Sequence, residues 1–224
     1  MRAASAGRGR ARAGRLPRLW LLTDERLGGL DEARAAVAAL PAGAGVVLRH
    51  RSWPEAARAA LLGALAPVCR RRRLLLLVAH PWPGARADGV HLSGGRHLPR
   101  RRRFGLVTAP AHDARSLREA CAAGADLLFL SPVFPTASHP GARALGPLRF
   151  GLAVRGVSRP VVALGGMDRR RARRLAALGA YGFAAVSALR AASPSSTMLT
   201  SAESSKAASI SPARAITSRA DGTM

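Results

Sequence analysis

Gly165 and Gly166 directly follow an apolar run, Pro160 to Leu164, and a glycine pair lets backbone N–H groups close on an anion with no Cβ in the way. Val186 and Ser187 leave the next apolar run, adding N–H donors and a hydroxyl. Thr136 and Ser138, in a polar loop after a third run, supply two more hydroxyls. Together these six residues predict a phosphate site, although each alone also suits a plain turn. Arg49 and Arg51 are alternate residues leaving Val46-Val47-Leu48, so their side chains project to the same side. The rigid guanidinium fork suits a second anionic group such as a diphosphate; in an Arg-rich chain the same pair also reads as solvated surface. His112 and His139 stand in loops where an imidazole acts as general acid or base near neutral pH. His80 leaves one apolar run, and His91 lies inside another, where a structural role is expected.

The elements that must position these groups are short. Asp126 to Leu130 is too brief for a helix, is stopped by Pro132 and Pro135, and empties into a long polar loop. Similar runs occur at Leu19–Thr23, Val46–Leu48, Leu74–Ala79, Gly89–Leu92, Phe104–Thr108, Pro160–Leu164 and Gly182–Val186. Between most of them lie helical patterns. Asp31 is expected to cap a helix through Val37, and Ser52 with Glu55 has the spacing of a capping box. Asp113 starts a helix with Leu117 inside, Leu148 to Val157 reads as another, and Asp168 caps an Arg-studded one with Leu175 and Leu178 inside. His80 to Ala87 is too proline-rich for a helix. Eight strands alternating with helical connections predict an α/β fold, a (β/α)8 TIM barrel of parallel strands, with a doubly wound open sheet as the alternative. In such a barrel the loops after strands seven and eight often build a phosphate site, which is where Gly165-Gly166 and Val186-Ser187 fall.

Composition narrows the classes. The formal charge of +24 comes from 35 arginines and one lysine, Lys206, against 12 acids. It is spread along the chain with no reading helix, zinc finger or aromatic RNA-binding motif, so nucleic-acid binding is not expected to be the main role. No apolar run approaches the ~20 residues of a membrane span. Cys69 and Cys121 lack metal or disulfide spacing and read as small buried hydrophobes in a reducing, cytoplasmic setting. Residues 1–18 form a basic tail resembling a transit peptide but lacking an apolar face; 19–191 make the barrel; 192–224 are Ser/Ala-rich without periodicity. Both tails are expected to be disordered. The missing final amphipathic helix leaves room for a second copy in a homo-oligomer. No carboxylate directly follows strand three or four, since Asp88 precedes strand four, so no metal site is evident.

Over roughly residues 19–190 the chain resembles the thiamine phosphate synthase/TenI family. The carriers are Ala87-Asp88-Gly89-Val90-His91-Leu92, Gly124-Ala125-Asp126, Ser131-Pro132-Val133-Phe134-Pro135-Thr136, Ala163-Leu164-Gly165-Gly166-Met167 and Ala185-Val186-Ser187-Ala188-Leu189. The resemblance implies the same barrel and the joining of hydroxymethylpyrimidine diphosphate to a thiazole phosphate with release of diphosphate. It implies that Gly165, Gly166, Val186, Ser187, Thr136 and Ser138 hold the thiazole phosphate, and that Arg49, Arg51 and Thr108 hold the diphosphate. It also implies Mg2+, yet the family's metal acids are replaced: Ala79-His80 stand for an Asn-Asp, Arg96 for an acid, and His139 for a lysine. Val47 replaces a glutamine. TenI-type members resemble a metal-independent thiazole tautomerase whose acid/base histidine matches His112. The expectations are therefore a synthase first, a tautomerase second, and a non-catalytic thiazole-phosphate-binding protein third.

Overall fold

Eight parallel strands close on themselves in chain order, β1 pairing with both β2 and β8. They are β1 Leu19–Thr23, β2 Gly45–Leu48, β3 Leu75–Ala79, β4 Gly89–His91, β5 Leu106–Ala111, β6 Leu127–Leu130, β7 Val161–Leu164 and β8 Gly182–Ala185. Among the described residues five α-helices lie between them: α1 Leu30–Ala38, α2 Glu55–Arg72, α3 Ala114–Ala122, α4 Gly146–Val154 and α5 Arg169–Ala176. This is the expected (β/α)8 barrel, and the open-sheet alternative is excluded by the β1–β8 pairing. The computed structural model describes residues 16–92, 105–136 and 141–186. Ser138, His139, Ser187, Phe104, Arg96 and the 192–224 segment lie outside the described residues, as do residues 1–15.

Alternation along each strand sorts the core. Trp20, Leu22, Val47, Leu77, Leu106, Leu127, Phe129 and Val162 fill the barrel interior as one cluster. Their neighbours Leu21, Val46, Leu48, Leu76 and Val78 pack outward with α1 and α2, while Leu128, Leu130 and Ala163 pack with α3 to α5. Burial on both faces is why these strands read as continuous apolar runs. Trp20 needs a gap opposite it: a Cβ on Gly45 would lie 2.3 Å from the indole ring. Its ring meets Phe129 edge-on at 5.4 Å. Two motif aspartates serve the barrel's N-terminal end. Asp88 accepts from Leu76 N (2.8 Å) and Asp126 from Val107 N (3.0 Å), tying each strand to its neighbour. The base is closed by Leu16–Arg18, the last residues of the stretch read as a tail: Tyr181 Oη donates to Leu16 O (2.6 Å) and Trp20 Nε1 to Pro17 O (2.8 Å).

Several local expectations change. Helix α1 starts two residues earlier than predicted, with Gly29 at the cap and Glu32 reaching back to its N–H (2.9 Å); Asp31 is in the first turn. Ser52 does not cap α2, which begins after Pro54; its N–H and hydroxyl both donate to Glu25 Oε1 (2.9 and 2.8 Å). A tertiary acceptor has outcompeted the local capping box. Helix α4 occupies Gly146–Val154 rather than 148–157. Strand β5 continues through Pro110 to Ala111 because β6 pairs with it along that length, which places Thr108 in mid-strand. Leu178 is partly exposed beyond α5 rather than inside it. The aspartate caps hold: Asp113 Oδ1 accepts from Ser116 N (2.7 Å) and Asp168 Oδ1 from Arg171 N (2.7 Å). Among the described residues no helix is long and apolar enough to cross a membrane.

Candidate functional site

A cavity of about 330 Å3 opens at the C-terminal ends of the strands, the end where function concentrates in this fold. Its floor includes Leu22 and Phe129 from the barrel interior. Of the sequence-predicted site residues, Arg49, Arg51, His112, Thr136, Gly165, Gly166 and Val186 all line it. Strands distant in sequence thus bring the two predicted anion ends to one space.

On the β6–β7 side the wall is main chain. Gly165 and Gly166 hold φ of +96° and +58°, the left-handed region where a side chain is strained. A Cβ at Gly165 would lie 2.9 Å from Pro132 Cα, and one at Gly166 would lie 2.5 Å from Pro135 O. The loop after β7 therefore rests directly on the proline-rich loop after β6, stitched by Val133 N to Leu164 O (2.9 Å) and Phe134 N to Gly165 O (3.1 Å). Arg171 from α5 locks the pair: its Nη1 donates to Gly166 O, and its guanidinium lies 4.7 Å over the Phe134 ring.

On the β1–β2 side the wall is made of side chains. Arg49 Nη2 donates to Asp24 Oδ2 at 2.8 Å, which fixes its fork, while Arg51 has no ion-pair partner among the described residues. Asp24 is also held by Arg26. Burial pushes the Asp24 carboxyl up, but the hydrogen bonds from Arg26 and Arg49 outweigh it and keep it below the usual carboxylate range. His50, between the two arginines, is fully buried against Trp53 with its Nε2 unpartnered, and burial lowers its pKa. Beside them, Arg58 from α2 donates to Ala79 O (2.7 Å) and to His80 O, and lies 4.6 Å over the Trp82 ring. That clamp sets the β3 loop, where His80 takes a left-handed φ of +51° and lines the cavity.

Histidines complete the lining. His112 directly follows β5; with its Nδ1 2.7 Å from Ser131 O, that nitrogen carries hydrogen and donates to the carbonyl. In the neutral ring Nε2 is then the basic nitrogen. His91 also borders the cavity, although the sequence pointed only to a strand interior. Its Nδ1 lies 2.9 Å from Thr108 Oγ1 and its ring meets Phe129 edge-on at 5.2 Å. Burial, then the charges of Arg49 and His80, push its pKa down to about 3, so it is neutral near pH 7. Thr108 stands behind His91, fully buried, its hydroxyl also facing Val90 O at 3.3 Å, and it does not line the cavity. The earlier strand end predicted for β5 had placed it at the mouth.

The donor set does not fit a carboxylate-held Mg2+: among the described residues the cavity lining has no Asp or Glu, and no cluster of three His, Cys, Asp or Glu side chains has metal-binding geometry.

Comparison with known proteins agrees with this geometry. A family described as thiamine monophosphate synthase matches residues 19–189. A thiamine-phosphate synthase of Chlorobium luteolum is 35% identical over 190 residues, covering 80% of this chain and 88% of that protein. A putative thiamine-phosphate synthase 2 of Aquifex aeolicus is 31% identical over 180 residues, covering 77% and 97%. Among solved structures, a thiamine phosphate pyrophosphorylase from Pyrococcus furiosus superposes with a TM-score of 0.65 at 26% identity, covering 77% of this chain and 86% of that one. With the whole barrel matched and both ends of the cavity in the expected loops, the chain belongs to the thiamine monophosphate synthase family.

Proposed function

We propose that this chain joins hydroxymethylpyrimidine diphosphate to thiazole phosphate, giving thiamine phosphate and diphosphate. The observation that carries the proposal is one cavity with a backbone-lined end at Gly165-Gly166 and an arginine-lined end at Arg49 and Arg51. In this reading the first end takes the thiazole phosphate, with Thr136, Ser138, Val186 and Ser187 around it. The second takes the diphosphate. The methylene C–O bond breaks, its electron pair leaves with the diphosphate, and the pyrimidine methylene cation is captured by the thiazole nitrogen lone pair. The protein's part is to hold both partners in line and to meet the charge developing on the leaving group. His139 would add to the diphosphate end or serve as acid. Two free thiols, Cys69 and Cys121, suit a cytoplasmic enzyme.

His112 favours a second reading. An oriented imidazole with a free basic Nε2 on the cavity supports a thiazole tautomerase, which needs only proton transfer. Incubating the purified chain with both substrates, with and without added Mg2+, and assaying thiamine phosphate tests the first reading. Product is expected, and its absence over hours sinks the synthase. A change of tautomer lost in His112→Ala would establish the second, and phosphate-ligand binding without turnover would leave a non-catalytic binder.

A further inference from the structure

The placement of every carboxylate in the barrel says how this site must handle a diphosphate. Of the 12 acidic residues in the chain, only Glu203 and Asp221 lie beyond residue 191, and the ten others are all among the described residues. Each is away from the cavity. Asp88 and Asp126 pin strands at the opposite end of the barrel. Asp113 and Asp168 cap helices, and Glu119 pairs with Arg115 at 2.8 Å on the surface of α3. Asp31, Glu32 and Glu55 sit in the first turns of α1 and α2. Glu25 is taken by Ser52. Asp24 holds the cavity-lining Arg49, but its carboxylate is already shared by Arg26 and Arg49 and its side chain is only 4% exposed. The remaining stretches that follow strands, residues 93–104, 137–140 and 187–191, contain no Asp or Glu in their sequence.

We infer that this chain binds a diphosphate group through Arg49 and Arg51, and without a divalent cation held by the protein. This rests on the functional reading above only in assigning the diphosphate to the β1–β2 end. The chemistry is consistent. Arg49 is pre-oriented by Asp24, Arg51 lines the cavity with no ion-pair partner among the described residues, and guanidinium forks match phosphoryl oxygens two at a time. A Mg2+ site would require carboxylates that are committed elsewhere, and displacing Arg26 and Arg49 from Asp24 would dismantle the arginine end itself.

The test is calorimetric titration of the full chain with inorganic diphosphate, in EDTA and again in Mg2+, at physiological ionic strength. Binding in EDTA at least as tight as in Mg2+ is expected. Arg51→Ala should weaken it by about tenfold or more, the worth of a charge-assisted contact. Arg173→Ala, an exposed arginine on α5, should leave it unchanged, which separates the site from the general positive charge. Binding that strengthens about tenfold with Mg2+, or that ignores Arg51→Ala, overturns the inference. If diphosphate binds in EDTA but no thiamine phosphate forms, the reaction assignment fails and the arginine site stands. If product forms only with Mg2+ and diphosphate binding follows the metal, the reverse holds.

Discussion

At the β6–β7 side of the cavity the surface offered to a ligand is main chain, made by two left-handed glycines seated on a proline-rich loop; at the β1–β2 side it is guanidinium and imidazole, held by Asp24 and by Arg58. The first depends on conformations that glycine alone adopts without strain, so a single Cβ damages it. The second depends on pairings between residues far apart in sequence, so it is altered by changing a side chain rather than by adding one. A main-chain site can keep its ligand while the side-chain site beside it changes chemistry. That division fits this barrel, where the cavity lining pairs a glycine turn with arginines and, among the described residues, holds no Asp or Glu.

The sharpest way to break the comparison is Gly166→Ala. Its φ of +58° and the 2.5 Å approach of a new Cβ to Pro135 O predict a loss of about 3 kcal/mol and collapse of inorganic phosphate binding. An unchanged denaturation midpoint with unchanged phosphate affinity would mean the glycine wall is not what it is described to be. Next in size is Asp24→Asn, which leaves two guanidiniums facing each other at the other wall. About 2 kcal/mol of stability should go, with weaker diphosphate binding but intact phosphate binding at the glycine end. Loss of both affinities together would show that the two walls are one cooperative unit.

The third prediction concerns pH. His91 is held neutral in the folded chain, with its pKa pushed down to about 3 against an ordinary 6.5. Between those values the unfolded chain binds the extra proton. Stability therefore falls as pH is lowered through this window, by at most about 1.4 kcal/mol per pH unit. Asp24 and Glu25, both lowered in the fold, add to the slope only further down, Glu25 as pH falls from 4.5 toward about 2. Urea midpoints from neutral to mildly acidic pH should show this slope, to which buried His50 adds in the same direction, and His91→Gln should reduce it. A wild-type slope that survives that substitution would refute the assignment. The smallest effect is Ser52→Ala. Loss of a hydroxyl bond to Glu25 at an exposed loop should cost about 0.5 kcal/mol and leave helix α2 intact by circular dichroism. A measurable loss of helix would restore the cap predicted from sequence.

Much of the scaffold was readable from local pattern. Leu19–Thr23 is a strand with the bounds expected of it, and Asp113 and Asp168 cap the helices they precede. Hydropathy runs and cap preferences act within a few residues, so they survive in one dimension. The misses share another cause. Ser52 found Glu25, Thr108 fell in mid-strand because β6 extends β5 through Pro110, and Leu178 faces outward beyond α5. Each was decided by a partner the local pattern does not contain. His80 and His91 reached the cavity for the same reason, as only closure of the barrel brings β3, β4 and β6 around one space.

From its residues alone, then, this chain determined the order of its eight strands, the glycine turn after the seventh and the scarcity of acids available to any site. Tertiary structure decided which charges remain free. Asp24 neutralises part of Arg49 while Arg51 has no ion-pair partner among the described residues, and that balance exists only because β1 and β2 end side by side, 25 residues apart in sequence. Electrostatic partners are chosen by distance in space, and composition does not encode that distance.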